Sequence, residues 1–123
     1  MKIIITENKL YNSIYKYIDD FYNTSNIVQI NPPTYMGNEW GENPYITEYF
    51  FEDEDTMLFT YIEKEYYSDE PSNQSFIKQT PILIVDEYDY DGFTEMFGDY
   101  WKEPMKKWFW DKYKLPVKTI LYD

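Results

Sequence analysis

Four residue types are missing from this chain of 123 residues: alanine, arginine, cysteine and histidine. Without cysteine there are no disulfides and no thiolate zinc sites, which is typical of a reducing cytoplasm. Without histidine the usual proton shuttle near neutral pH and the commonest metal ligand are absent. The four glycines are scattered and form no phosphate-binding loop. The sequence therefore predicts a protein that is not an enzyme and that holds no cofactor.

Long apolar runs are also missing. The opening segment contains an apolar run of only three isoleucines, which is far shorter than the apolar region of a signal peptide. No stretch reaches the length needed to cross a bilayer. The length fits one ordinary domain and is too short for two. We expect a soluble, cytoplasmic protein in which residues 1–123 form a single domain.

Negative charge is what the chain has in excess, with 23 acidic residues against 11 lysines and a net charge of −12. Residues 48–70 and 86–99 hold most of the acids, whereas lysine dominates from residue 100 onwards. Such a chain is repelled by nucleic acid and by anionic membranes. It attracts basic surfaces instead. We therefore expect the partner to be a basic protein surface, on a nucleic-acid-binding protein or its RNA or DNA complex, with no direct binding of nucleic acid or membrane.

Apolar spacing predicts most of the secondary structure in the first third of the chain. Residues 2–5 read as a short strand, after which Thr6 is a suitable helix N-cap. Residues 27–30 predict a second strand, and residues 31–44, with three prolines and two glycines, predict a long loop. Between the two strands the sequence predicts an amphipathic helix of about four turns. Its apolar face is formed by Leu10, Ile14, Ile18 and Phe21.

The middle of the chain predicts strands. Residues 45–52 and 56–63 are rich in aromatic and β-branched residues, and residues 53–55 between them predict a hairpin tip. Apolar side chains occupy both faces of this hairpin, with Tyr49 and Phe51 on one and Ile46 and Phe50 on the other. Residues 65–75 are polar and predict a mobile excursion, whereas residues 81–85 are continuously apolar, as in a central strand covered on both faces.

A second helical region follows, in which Phe93, Phe97, Tyr100 and Trp101 share a face. Pro104 either breaks this helix or begins a new one. Pro116 ends the helical region, and residues 117–122 predict a last strand. The predicted order is β-α-β-β-β-β-α-β. It indicates an α+β fold, a small mostly antiparallel sheet of four or five strands with two or three helices packed on one face.

One acidic segment resembles the beginning of an EF-hand calcium loop. Glu87, Asp89 and Asp91 alternate with tyrosines before Gly92. The twelfth position, where an EF-hand has a bidentate glutamate, is Gly98. The favoured interpretation is an acidic strand-to-helix loop in which Asp91 caps the helix. Binding of a divalent cation by these three carboxylates is kept as a remote alternative.

The acidic clusters are the main candidate for partner binding. They are either solvated surface or a set of carboxylates that imitates the phosphates of nucleic acid. Because the hairpin tip and residues 86–91 both flank strands of one sheet, we expect them to form a single surface at one sheet end. The candidate partner-binding acids are Glu48, Glu52, Asp53, Glu54, Asp55, Asp69, Glu70, Asp86, Asp89 and Asp91.

Three consecutive aromatic residues, Trp108-Phe109-Trp110, form the other candidate. Consecutive helical residues point about 100° apart, so the three rings cannot all face one core. Either one ring is partly exposed beside ordinary core packing, or Trp108 and Trp110 are anchors at a protein interface. The interface interpretation gives a second function class, a structural or assembly protein whose exposed aromatics join subunits. The sequence leaves formation of a homo-oligomer open.

Two segments carry a family resemblance. The opening Met1-Lys2-Ile3-Ile4-Ile5-Thr6-Glu7-Asn8-Lys9-Leu10 and the closing Trp110-Asp111-Lys112-Tyr113-Lys114-Leu115-Pro116-Val117-Lys118-Thr119-Ile120 resemble the two ends of short acidic proteins of tailed phages. The resemblance covers about a quarter of the chain. It implies a phage source and action in the host cytoplasm. Small acidic phage proteins include inhibitors of host defence, such as anti-CRISPR proteins and DNA mimics, and this one is expected to act in that way.

Overall fold

A computed structural model describes residues 2–35, 45–63 and 78–122 of the chain. In this part of the chain three helices cover one face of a five-stranded sheet with the order β1-β2-β3-β4-β5. The predicted α+β class and the mostly antiparallel sheet are therefore confirmed. The elements are α1 (Lys2–Tyr22), β1 (Ile27–Tyr35), β2 (Tyr45–Phe51), β3 (Met57–Ile62), β4 (Ile82–Val85), α2 (Glu87–Phe97), α3 (Lys102–Tyr113) and β5 (Thr119–Tyr122).

Helix α1 begins at Lys2, so the predicted strand at residues 2–5 and the predicted cap at Thr6 are both wrong. The local β preference of the isoleucines is overridden because adding residues to an existing helix costs little compared with nucleating one. The helix ends as predicted at Asn23, which adopts a left-handed conformation with φ 46°. Asparagine tolerates that conformation better than most residues. A short 3₁₀ turn, Thr24–Asn26, then leads into β1.

Strand β1 is the first edge strand of the sheet and is longer than predicted. It includes Pro32 and Pro33 and reaches Tyr35, so the predicted loop from residue 31 is wrong over this part and otherwise lies outside the described residues. Two register irregularities interrupt its pairing with β2. Prolines are tolerated here because an edge strand pairs on one side only.

The predicted hairpin is confirmed as β2 and β3, and β4 pairs antiparallel with β3 on the other side. Strand β4 lies inside the sheet, and Ile82, Leu83 and Val85 are fully buried, as its continuous apolar sequence predicts. Strand β5 pairs parallel to β4 and begins at Thr119, two residues later than predicted. A parallel pair needs a crossover connection, which α2 and α3 supply.

The crossover consists of two helices joined by the 3₁₀ turn Gly98–Trp101. Gly98 has φ 62° and ends α2, in the left-handed region where glycine has no steric cost. Pro104 lies in the first turn of α3, where a missing backbone N–H is harmless. A new helix does form here, as the second alternative predicts, but it begins at Lys102, so Pro104 is its third residue and not its first.

Aromatic side chains dominate the core between the helices and the sheet. Tyr22 is buried against Phe59 and Trp108, with ring centroids 4.6 and 5.4 Å away. The predicted apolar face of α1 is correct for Ile14 and Ile18 but wrong at its end, because Phe21 is 44% exposed and Tyr22 takes its place. Tyr100 is likewise exposed rather than buried beside Trp101.

The opposite face of the sheet carries a smaller apolar cluster of Ile46, Ile62 and Ile82. Tyr49 and Phe51 pack in the main core instead, which confirms the predicted division of the hairpin between two faces. The excursion predicted at residues 65–75 lies outside the described residues. None of the helices in the described ranges has the length and apolarity required to cross a bilayer.

Candidate functional site

Strand register places the two acidic segments of the middle of the chain at the same end of the sheet. Phe59, near the start of β3, pairs with Val85, the last residue of β4. Phe51, at the end of β2, pairs with Ile27 at the start of β1. The hairpin tip and the residues after Val85 therefore leave the sheet in the same direction from neighbouring strands, which lie about 4.8 Å apart. A cavity of about 110 Å³ is lined by Met57 at the start of β3 and by Asp86 just after β4, so these two strand ends adjoin.

The hairpin tip is an exposed acidic turn. Glu52 and Glu54 are held by backbone bonds, from Glu52 N to Asn26 O at 2.7 Å and from Glu54 N to Phe51 O at 3.4 Å. Asp55 has φ 51°, a left-handed conformation for which aspartate is enriched. The four acidic side chains of residues 52–55 are all exposed. The Glu52–Asn26 bond ties this turn to the chain just after α1.

The end of α1 adds an acid and an aromatic ring to the tip. Asp20 and Phe21 line an open cleft of about 380 Å³ together with Glu52, Asp53 and Glu54. Phe51, Asn23 and Asn26 complete its lining. The cleft thus combines four carboxylates with an exposed phenyl ring, an arrangement suited to a cationic side chain that also has an apolar stem.

The segment after β4 is a helix start and not the loop that the sequence predicts. Helix α2 begins at Glu87, and its N-cap is Asp86, whose carboxylate accepts a hydrogen bond of 3.1 Å from the backbone N–H of Tyr88. The predicted cap at Asp91 is wrong, because that residue lies in the second turn of α2. Acidic residues near a helix N-terminus are stabilised by the helix dipole. The helix dipole is therefore a local reason for acidic residues at positions 86, 87 and 89.

Asp89 connects the start of α2 with the end of α1. Its Oδ2 accepts a hydrogen bond of 3.2 Å from the hydroxyl of the buried Tyr22. Burial raises the pKa of the Asp89 carboxyl above its ordinary value of 3.8; the Tyr22 hydroxyl lowers that pKa, and the charge of Asp86 raises it. Burial also raises the pKa of the Tyr22 hydroxyl well above 10.0. The hydrogen bond from Tyr22 fixes the position of Asp89, and Asp86 is the neighbouring charge.

We call this surface the acidic end and define it as Asp20, Glu52, Asp53, Glu54, Asp55, Asp86 and Asp89. Four ion pairs form among the described residues, and all four involve lysines of α3, namely Lys102, Lys106, Lys107 and Lys112. None of these pairs includes a carboxylate of the acidic end. The prediction that both acidic segments leave the same end of the sheet is confirmed, whereas their union into one binding surface stays a prediction. Within the described ranges no lysine pairs with these carboxylates.

Other candidate residues are not part of the acidic end. Glu48 lies in the middle of β2, where Oε2 accepts a hydrogen bond of 2.6 Å from Asn31. Asp91 is exposed on α2, and Asp69 and Glu70 lie outside the described residues. Trp108 is fully buried, so its predicted part in a partner contact is wrong, whereas Trp110 is 48% exposed. This confirms the simpler interpretation, core packing with one partly exposed ring.

The EF-hand-like pattern does not form a calcium loop. Glu87, Asp89 and Asp91 lie on the first turns of a helix, where side chains two residues apart point to different sides. Asp89 is turned towards Tyr22. Across the described residues no three acidic side chains are grouped as ligands for a cation.

The sequence does not identify two residues of the cleft beside the hairpin tip. Asp20 lies outside the two acidic blocks, and Phe21 was assigned to the buried face of α1. The spacing from Ile18 is helical for both Phe21 and Tyr22, so periodicity alone cannot choose between them. The distinction is made by the packing of Tyr22 on Phe59 and Trp108.

Comparison with protein-family models, with curated proteins and with solved structures found no match to this chain.

Proposed function

We propose that this protein is a small acidic binding module that uses the acidic end to occupy a basic surface of a nucleic-acid-handling protein. The observation that carries the proposal is that Asp20 lines one cleft with Glu52, Asp53 and Glu54, while Asp86 follows a strand that ends at the same end of the sheet. Like charges held together destabilise a fold by repulsion, and a cationic partner relieves this cost. The proposed activity is binding and involves no catalysis.

The nature of the partner follows from charge. Carboxylates spread over a surface imitate the phosphates that a nucleic-acid-binding groove accepts, and they also accelerate encounter with that groove. The net charge of −12 also favours attraction of the whole protein to a basic partner. The resemblance of two segments to phage proteins supports a phage source, with the host cytoplasm as the place of action and inhibition as the outcome, as in anti-CRISPR proteins or nucleic-acid mimics.

Charge reversal at the hairpin tip tests the proposal. The double variant Asp53→Lys with Glu54→Lys changes two exposed side chains of the cleft and leaves Asp55, with its positive φ, in place. The matched control is Glu63→Lys with Glu95→Lys, which makes the same change in net charge at exposed positions outside the acidic end. Both are compared in pull-down from host lysate and in titration with polylysine.

The tip variant is expected to lose the partner and to weaken polylysine binding, while the control retains both. Raising the salt concentration should weaken binding of the unmodified protein, since exposed charges are screened. Equal loss in the two variants would mean that only total charge matters, and the acidic end would then have no special role. A protein that captures nothing at any salt concentration would contradict the proposal as a whole.

A structural or assembly protein is the second candidate. It is favoured by exposed aromatic rings in other parts of the surface, Trp110 on α3, Tyr88 on α2 and Tyr122 on β5. Light scattering separates the two functions. A defined oligomer that is lost in Trp110→Ser would favour assembly, and a monomer at high concentration would favour the acidic binding module.

A further inference from the structure

A stripe of apolar side chains along α1 connects the acidic end with a second, larger cavity. Leu10, Ile14, Tyr17 and Phe21 follow one another at spacings of four, three and four, so they lie on one side of the helix. Leu10 and Ile14 line an open cavity of about 670 Å³, whereas Phe21 lines the cleft of the acidic end. From Leu10 to Phe21 the helix rises by about 16 Å, or three turns.

Aromatic rings of α1 and α2 form the surface between the two cavities. The ring centroid of Tyr17 lies 5.5 Å from that of Phe97 and 6.1 Å from that of Phe93. Phe21 lies 5.3 Å from Phe93. Tyr17 and Phe21 remain more than a third exposed, and Tyr100 in the larger cavity is 69% exposed. Ile14 of the stripe is fully buried. The exposed apolar side chains beside it are typical of a docking site for another element.

Charge is distributed unequally between the two ends of this stripe. In the larger cavity Asp99 and Glu103 each have a lysine nearby, Lys102 at 3.6 Å and Lys106 at 3.1 Å. At the acidic end the carboxylates of the cleft have no such counterion among the described residues. A segment that covers the whole stripe therefore fits it best when the segment is basic at the acidic end and apolar along the rest of its length.

We propose that this stripe is a groove for an amphipathic helix of the partner, with apolar side chains along α1 and its basic end on the acidic end. The inference rests on the proposed function, since it names the segment that the basic partner presents. Three turns of apolar anchors are the usual requirement of a helix that docks in a groove. A second copy of this chain is a poor occupant because it brings another net charge of −12.

Three synthetic peptides of about 14 residues test the groove, a length of nearly four helical turns that exceeds the three turns of the stripe. The first is a leucine–lysine amphipathic helix with additional lysines at one terminus. The second has the same composition in an order that distributes leucine around the helix. The third is an oligolysine of equal charge. Fluorescence anisotropy at two salt concentrations should show the first binding at least about tenfold more tightly than the other two.

Substitutions in the stripe test whether its side chains are responsible for the tighter binding of the first peptide. Tyr17→Ser and Tyr100→Ser should each reduce the preference for the amphipathic peptide and leave oligolysine binding unchanged, with Trp110→Ser on α3 as the control. Tyr100→Ser is the variant less expected to disturb the fold, because Tyr100 is more exposed than Tyr17 and Phe21. Circular dichroism verifies the fold of each variant.

Orientation supplies the sharpest test. A spin label at the lysine terminus of the first peptide should broaden the amide signals of residues 52–55, and a label at the other terminus should broaden those of Leu10 and Tyr100. Equal affinity for all three peptides, or the reverse orientation, would overturn the groove while the acidic end remains a binding surface. If no basic peptide binds at all, the proposed function fails with it.

Discussion

Carboxylates in two regions of this molecule have opposite surroundings. On the side where α1 packs against α3, Asp19 accepts a hydrogen bond of 3.0 Å from the indole N–H of Trp108 and lies 3.2 Å from Lys112, and Asp111 lies 2.8 Å from Lys107. We call this region the paired face. At the acidic end four carboxylates line one cleft, and the ion pairs of the described residues are all elsewhere.

The contrast is visible in two aspartates that both contact the buried aromatic core. The hydrogen bond from Trp108 lowers the pKa of Asp19, and Lys112 adds to this effect against the opposing effect of burial. Burial raises the pKa of Asp89, whose carboxylate accepts a hydrogen bond from the Tyr22 hydroxyl. Asp19 therefore contributes to stability at neutral pH, whereas the buried charge of Asp89 opposes it. A charge that opposes folding is retained more readily when it serves binding.

The largest loss of stability is expected when the Trp108 side chain is removed from the paired face. Trp108→Ala leaves a cavity among Tyr22, Phe59 and Phe109 and leaves Asp19 without its donor, so unfolding should become easier by about 3–5 kcal/mol. Trp110→Ala, two residues away and half exposed, should cost less than about 1 kcal/mol and provides the control. Urea denaturation measures both. Similar costs for the two variants would contradict the assignment of one ring to the core and one to the surface.

The sequence was most informative where a simple period determines the structure. Alternation along residues 45–63 predicted both the hairpin and the separation of Ile46 from Tyr49, because opposite faces of a strand must be covered by different elements. The shared sheet end of the two acidic segments was predicted from strand adjacency alone. Each of these features depends on residues that are near in sequence or on neighbouring strands.

The errors occur where packing between distant elements makes the choice. Residues 2–5 have β-branched side chains, but the helix that follows extends over them. Asp86 and Asp91 are equally suitable caps in sequence, and the end of β4 at Val85 selects Asp86. Asp20 joins the acidic end only because the chain after α1 is bonded to Glu52. No local pattern contains that information.

Neutralising Asp19 is expected to reduce the stability of the paired face by a smaller amount. Asp19→Asn keeps an acceptor for Trp108 but removes the charge that Lys112 and the indole stabilise. After allowance for solvent screening of this partly exposed group, the loss at neutral pH should be about 1 kcal/mol or less. Because the folded pKa of Asp19 is lowered, its contribution is present above the ordinary pKa and disappears as pH falls through the folded value. Denaturation at several pH values should show the two proteins converging in acid.

The corresponding variant of the acidic end should have the opposite sign. Asp89→Asn retains an oxygen that accepts the Tyr22 hydrogen bond and removes a carboxylate that burial and Asp86 disfavour. Because the folded pKa of Asp89 is raised, its favourable contribution is present below the ordinary value of 3.8 and is lost as pH rises through the folded value. The variant should therefore match the unmodified protein in acid and become the more stable of the two towards neutral pH. If Asp89→Asn is instead destabilised at neutral pH, then the hydrogen bond to the carboxylate outweighs the burial of its charge.

The smallest effect is expected at the hairpin tip. Asp53→Lys with Glu54→Lys replaces exposed side chains and introduces cations beside Asp20, Glu52 and Asp86, so repulsion within the acidic end becomes attraction. Exposed substitutions change stability by less than about 0.5 kcal/mol, and here the sign should be stabilising. The gain should shrink as salt is raised from about 0.01 to 1 M, over which the screening length falls from about 30 to 3 Å. The control pair Glu63→Lys with Glu95→Lys removes the same net charge, so any stabilisation that it shares is due to the total charge of the molecule. Only the excess in the tip variant measures repulsion within the acidic end, and an excess of zero at low salt would mean that these carboxylates do not repel one another enough to matter for folding.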